Sequence, residues 1–226
     1  MLESPSRERV DRVEWPDEPG VLAAPFPAGQ GRIAPEARIR VAPTQRLLVF
    51  EEGALVDILA PGTHRPGPAA MPGLARLRGW DDLPPAPFEA DLCFVSIEER
   101  IGMRWVTPQP LLVDDKDRGR VPVAVAGNYA FRVASLPRFA ETFLRGRRDL
   151  SIEAIAPVLD AALMAGVERT LGVPGLALAA LTVDPGALAG RLQAAADAMF
   201  EAMGLCCTEL GVDTVALPAA EAAPAD

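Results

Sequence analysis

Cysteine is scarce in this chain of 226 residues: Cys93, Cys206 and Cys207 are the only three. The number is odd, two are adjacent, and no Cys-x-x-Cys pair occurs, so neither a disulfide framework nor a zinc ribbon is available and reduced, buried thiols are expected. Histidine is scarcer still. His64 stands alone, and without a second histidine or a Gly-x-Ser-x-Gly elbow a Ser-His-Asp arrangement has nothing to build on. Its place just after Pro61-Gly62 reads as a polar corner residue bonded to the local backbone. No Gly-x-Gly-x-x-Gly or Walker-type loop is present to cradle a nucleotide, and no cofactor is expected. Aromatic residues make up only 5%, so the 50% hydrophobic content leans on alanine. A long apolar run is also missing. The longest charge-free stretch, Thr170 to Val183, contains two glycines and a proline and is shorter than the roughly 20 residues that span a bilayer. The opening Met1-Leu2-Glu3 leads into charged residues without an apolar core, unlike a signal peptide, so a cytoplasmic location is expected.

Acidic residues outnumber basic ones by 31 to 22, a net charge of −9. That balance argues against nucleic acid and against direct adsorption to anionic lipid, since both are polyanions. Membrane contact would then need a protein partner or a local basic patch. The densest basic cluster is Arg145-Gly146-Arg147-Arg148, with Arg138 upstream. These arginines either complement the C-terminal end of a helix dipole or form an interaction patch for an acidic neighbouring subunit or a lipid headgroup. Asp114-Asp115-Lys116-Asp117-Arg118-Gly119 lacks calcium-loop spacing and a glutamate at the twelfth position, so it reads as a solvated hairpin turn.

Leu47, Leu48, Val49 and Phe50 form a continuous apolar run that implies a strand buried on both faces. A turn at Gly53 joins it to Ala54–Ile58, and Pro61-Gly62 marks a second turn. Phe88, Ala90, Leu92 and Phe94 alternate. So do Val121, Val123, Val125, Tyr129, Phe131 and Val133, whose period of two puts them on one sheet face with Asn128 and Arg132 on the other. After residue 134 the period changes. Leu136, Phe139 and Phe143 fit a short helix entered through Ser135 and stopped near Gly146. Ile152, Ile155, Leu159, Leu163, Val167 and Leu171 make a stripe on a long helix capped by Ser151. Pro157 either kinks that helix or moves its start to about residue 156. A third helix has Asp184 as N-cap, Pro185 at its first position, Gly204 past its end, and Leu188, Leu192, Met199 and Met203 on one side. Leu205 to Leu217 reads as a returning strand with a bulge at Gly211.

These residues predict an α+β fold: a β-rich half over 9–133 built on a twisted antiparallel sheet, about three helices over 135–204, and a final strand over 205–217. Residues 1–8 and 219–226 read as disordered ends. Val41-Ala-Pro-Thr-Gln-Arg-Leu-Leu-Val-Phe50, the turn at Gly53 and the corner Pro61-Gly62-Thr63-His64 resemble the opening of the SPFH (Band 7, stomatin/prohibitin/flotillin-like) domain. Val13-Glu14-Trp15, Val21 to Pro27, Phe88 to Ile97, Met103 to Pro110 and Val121 to Val133 follow in the order of a soluble bacterial, "virion core protein-like" branch.

The resemblance covers roughly residues 10 to 218. It implies a non-enzymatic scaffold or adaptor with protein partners, membrane proteins among them, peripheral at the inner membrane through those partners and serving membrane organisation or envelope stress. The alternative is a purely soluble structural or assembly protein. Trp15, Phe26, Trp80, Phe88 and Trp105 read as core. Met71 to Leu77 with Trp80 reads as a connecting strand, or as the loop that meets the membrane in SPFH proteins. The chain stops within nine residues of Leu217, short of the family's long charged helix and of the cysteine-rich ribbon of this branch. A monomer or weak small homo-oligomer is therefore expected.

Overall fold

A computed structural model describes residues 8–26, 31–173, 178–183 and 185–216. The strands are β1 (Glu8–Val13), β2 (Val21–Phe26), β3 (Gly31–Val41), β4 (Gln45–Glu51), β5 (Ala54–Leu59), β6 (Gly62–His64), β7 (Asp91–Ser96), β8 (Arg100–Val106), β9 (Leu111–Asp115), β10 (Gly119–Val133), β11 (Leu150–Ser151) and β12 (Leu205–Ala216). The helices are α1 (Pro72–Arg78), α2 (Leu136–Phe143), α3 (Ile152–Leu171), α4 (Leu178–Val183) and α5 (Pro185–Ala202). The fold is α+β, with most strands first, helices later and a strand last. Among the described residues four helices follow β10 where three were expected, because Leu178–Val183 forms a short helix of its own. The expected disordered ends lie outside the described residues, apart from Glu8, which opens β1.

Contacts divide the chain into two compact units: Met1–Glu98 with Leu136–Ile155, and Glu99–Ser135 with Ala156–Asp226. In the first, a three-stranded sheet runs β1–β3–β6 and a five-stranded sheet runs β11–β2–β7–β4–β5. All pairings in it are antiparallel except β1 with β3. The chain reaches β3 from β1 by way of β2 in the other sheet, and such a crossover returns a strand in the same direction. Val13, Ile33, Ile39, Leu47, Val49, Leu92 and Phe94 from both sheets share one core with Met71, Leu74 and Phe88.

Leu47 to Phe50 are buried on both faces, as their continuous run predicts. Glu52 and Gly53 both take positive φ, 50° and 81°, the geometry of a two-residue hairpin turn that follows the twist of its strands. The alternation expected over Phe88 to Phe94 holds on the core side, where Phe88, Leu92 and Phe94 join the core and Ala90 packs against it; Cys93 and Val95 are buried as well, so from Leu92 onward β7 is covered on both faces. Phe88 precedes the strand and bridges Ile33. The Met71 to Leu77 segment is neither strand nor exposed loop. It forms α1, with Met71 and Leu74 fully buried and Trp80 stacked edge-on against Phe88 at 4.8 Å.

In the second unit β10 is the central strand, paired with β12 on one side and with β8 and β9 elsewhere along its length. Val123, Val125, Tyr129, Phe131 and Val133 are buried while Arg132 is exposed, so the period-two reading holds, with Val121 only half-buried. Five of the six stripe residues of α3 are buried; Ile152 at its start is half-buried. Pro157 neither stops the helix nor moves its start. The helix begins at Ile152, and Ser151 Oγ accepts the Ala154 N–H at 3.3 Å.

On α5 the buried stripe is Leu188, Leu192, Ala196 and Phe200, each a turn from the next. Met199 and Met203 are only half-buried, because spacing by four carries the stripe onto Phe200, which packs edge-on against Tyr129 at 6.0 Å. The N-cap assigned to Asp184 lies outside the described residues. Gly211 pairs in register with Asn128; the register shifts of β12 fall instead at Thr208 and Asp213. Gly127, not Gly211, is the residue that close approach requires: a Cβ on it would stand 2.0 Å from the Gly211 carbonyl oxygen.

Candidate interaction surfaces

The glutamine that begins β4 is a buried latch. Gln45 Nε2 donates to the Trp15 carbonyl at 3.0 Å and to Asp17 Oδ1 at 2.7 Å, while its Oε1 accepts the Ala42 N–H at 3.3 Å. Thr44 Oγ1 donates to the other Asp17 oxygen at 2.8 Å. A buried amide left unsatisfied is costly, so the glutamine fixes the path of residues 15–17 over the strand. His64 bonds the Ala60 carbonyl through Nε2 at 2.8 Å, a corner contact as its position suggests.

The hairpin at Asp114 to Gly119 forms, but Asp115 is not solvated. Its Oδ1 accepts the N–H groups of Asp117 and Arg118 at 3.0 and 2.8 Å, and its Oδ2 accepts that of Leu178 at 2.9 Å, joining the turn to the start of α4. These bonds, that from Leu178 first, hold its carboxyl below the usual range. Cys93 and Cys207 are buried and Cys206 half-buried. Burial pushes the Cys93 thiol up to about 12 and the Cys207 thiol up to about 11. Both are far from the thiolate that nucleophilic chemistry needs at neutral pH.

The members of the basic cluster have different surroundings. Arg148 is turned inward. It grips Asp91 with Nε at 3.1 Å and Nη2 at 2.8 Å, donates through Nη1 to the Leu144 and Arg147 carbonyls, and lies 3.8 Å from the centre of the Phe50 ring. Arg145, two residues past the end of α2, pairs with Glu141 on that helix at 2.7 Å. Arg138 and Arg147 are exposed. Arg148 thus ties the end of α2 to the five-stranded sheet, and Arg138, Arg145 and Arg147 are the members left at the surface. Between α2 and β5 lies a groove of about 600 Å³, with Leu55, Val56, Ile58, Ala140 and Leu144 among its lining.

A second basic surface was not legible as a cluster. The outward residues of β3 are Arg32, Glu36, Arg38 and Arg40, set against the buried Ile33, Ala37, Ile39 and Val41. Pairing with β1 places Arg9 beside Arg32 and Arg12 beside Arg38. The signal in the sequence was the arginine at alternate positions, Arg38 and Arg40, flanking a buried isoleucine.

Among the described residues no group of three or more His, Cys, Asp or Glu is placed to hold a metal, and no helix is long and apolar enough to cross a membrane. The molecule is thus defined by strand faces, a latch and surface arginines. The model of the SPFH domain-Band 7 family matches residues 24–223, most of the chain, and the protein belongs to that family. No curated protein sequence matches it.

Proposed function

We propose that the protein is a non-catalytic SPFH-family scaffold or adaptor, recruited to the cytoplasmic membrane by protein partners and serving membrane organisation or envelope stress. The family match over residues 24–223 carries this reading. The net charge of −9 supports recruitment through protein rather than direct adsorption to anionic lipid. The high thiol pKa values and the purely local bond of His64 support a non-catalytic role.

Vesicle flotation with and without cell extract tests it. Flotation only with extract is the expected result. Flotation without extract would overturn partner-dependent recruitment. No flotation in either case would leave a purely soluble structural protein.

A further inference from the structure

In the β1–β3–β6 sheet Arg32 and Arg38 lie where β3 pairs with β1, and Arg40 where it pairs with β6; the two ladders overlap only at Ile39, so charge on these stretches also resists edge-to-edge pairing. Their neighbours make the arrangement harder to hold: Arg9 is in register with Arg32 and Arg12 with Arg38. Like charges directly opposite each other repel. The acidic side chains nearby are taken. Arg9 pairs with Asp11 and Glu36, Arg12 approaches Glu14 at 3.5 Å, and both Asp17 oxygens accept from Gln45 and Thr44. Among the described residues Arg32, Arg38 and Arg40 make no side-chain hydrogen bond or ion pair. Beside Arg40 a cavity of about 390 Å³ opens, lined also by Trp15, Gln45 and the engaged carboxylates of Glu14 and Asp17.

We propose that this face docks an extended acidic segment of a partner protein carrying carboxylates at alternate positions. Arg38 and Arg40 project from the same side two residues apart, about 6.6 Å along the strand, which is the spacing of alternate side chains in an extended peptide. Guanidinium groups meet carboxylates in a two-pronged geometry, and three of them without partners offer that fork repeatedly. No aromatic side chain lies among the outward residues of β3 to stack on bases, and none is apolar enough to enter a bilayer. An acidic chain of net charge −9 also repels extended polyanions at long range, leaving a short carboxylate segment as the better match. The inference rests on the adaptor reading for the existence of a partner and adds the partner's chemistry.

Fluorescence anisotropy of the full chain with a labelled Glu-Thr repeat peptide tests it. The controls are a peptide of equal composition with its glutamates in one block, phosphatidylserine vesicles and single-stranded oligo-dT. The double variant Arg38→Thr/Arg40→Thr should bind the repeat peptide at least about tenfold more weakly. Arg145→Thr/Arg147→Thr should bind it unchanged, and added salt should weaken binding to the native chain. The unfolding midpoint of the first variant should not fall, since a like-charged neighbour is removed, so lost binding reports the site rather than misfolding. Equal binding by both variants, equal affinity for the block peptide, or vesicles or oligo-dT engaging these arginines in place of the peptide would overturn the proposal. Failed flotation with peptide binding intact would sink membrane recruitment alone; intact flotation with no peptide binding would sink this site alone.

Discussion

Asp57 on β5 holds the first turn of α1 with both carboxylate oxygens: Oδ1 accepts the Gly73 N–H at 2.8 Å, and Oδ2 the Leu74 N–H at 2.7 Å. The residue at the helix's own N-cap position, Met71, makes no side-chain cap and is buried in the core instead. A strand therefore supplies the cap that the helix lacks. Asp57→Ala should lower stability by about 1 kcal/mol, as for lost helix caps. Gly73→Ala should cost more, because its Cβ would stand 2.5 Å from the Val56 carbonyl oxygen. Urea midpoints of the two variants check the order.

Gly127→Ala should be among the most damaging single changes. Its Cβ would lie 2.0 Å from the Gly211 carbonyl oxygen and 2.9 Å from Trp105 Nε1, and neither a strand backbone nor a buried indole can yield cheaply. Overpacking in a core costs about 1–3 kcal/mol and occasionally more, and here the upper end or loss of soluble protein is expected. The near-ultraviolet dichroism of Trp105 reports the change directly.

Phe131→Ala should cost roughly 3–5 kcal/mol, the range for a fully buried phenylalanine. Phe131 is wholly inaccessible and packs beside Tyr129, with ring centres 6.2 Å apart. An unfolding midpoint that barely moves would mean that this sheet face is open.

Asp115 gives stability an acid dependence of known sign. Its three backbone donors depress its pKa in the folded state. The unfolded chain, with an ordinary aspartate value of about 3.9, therefore binds its proton first as pH falls. The contribution is complete above that unfolded value and is lost as pH drops toward the folded one. Asp115→Asn should flatten this part of the curve of stability against pH, measured by chemical denaturation from neutral to strongly acidic buffer.

Arg147 and Arg148 are adjacent, yet their replacement should differ. Arg148→Met removes a forked pair with Asp91, two bonds to carbonyls and a stacked ring, and should destabilise by about 1–2 kcal/mol. Arg147→Met, at an exposed position, should stay within about 0.5 kcal/mol. Equal thermal midpoints would show that the Arg148 contacts carry no net stability.

The strand faces were legible wherever one side of a strand met the core and the other met water, as in β10. In β7 the core face of Leu92 and Phe94 was legible, but the burial of Cys93 and Val95 on the opposite face was not. The α5 stripe was half legible: Leu188 and Leu192 were evident, but Phe200 competed with two flexible methionines for the same face, and packing against Tyr129 decided it. The Arg145 to Arg148 cluster was conspicuous because its members are contiguous, yet Arg148 serves the fold. The outward arginines of β3 were hidden because a buried pair, Ile33 and Ala34, interrupts their alternation. Their nearest like-charged neighbours, on β1, are distant in sequence and are revealed only by strand register.

The first unit is woven from distant pieces. β1, β3 and β6 enter one sheet while β2, β4, β5 and β7 enter the other, and β11 closes onto β2 from Leu150. A nascent chain leaving the ribosome can complete β1–β3–β6 once His64 is out, but it cannot finish the five-stranded sheet early, since that sheet's final edge strand emerges more than 120 residues after its neighbour begins at Val21. Synthesis proceeds at about 5–20 residues per second, so β2 waits several seconds with one side open. Any chaperone that shields the emerging chain has that interval in which to act, and a pause in translation between Ser96 and Leu150 would lengthen it.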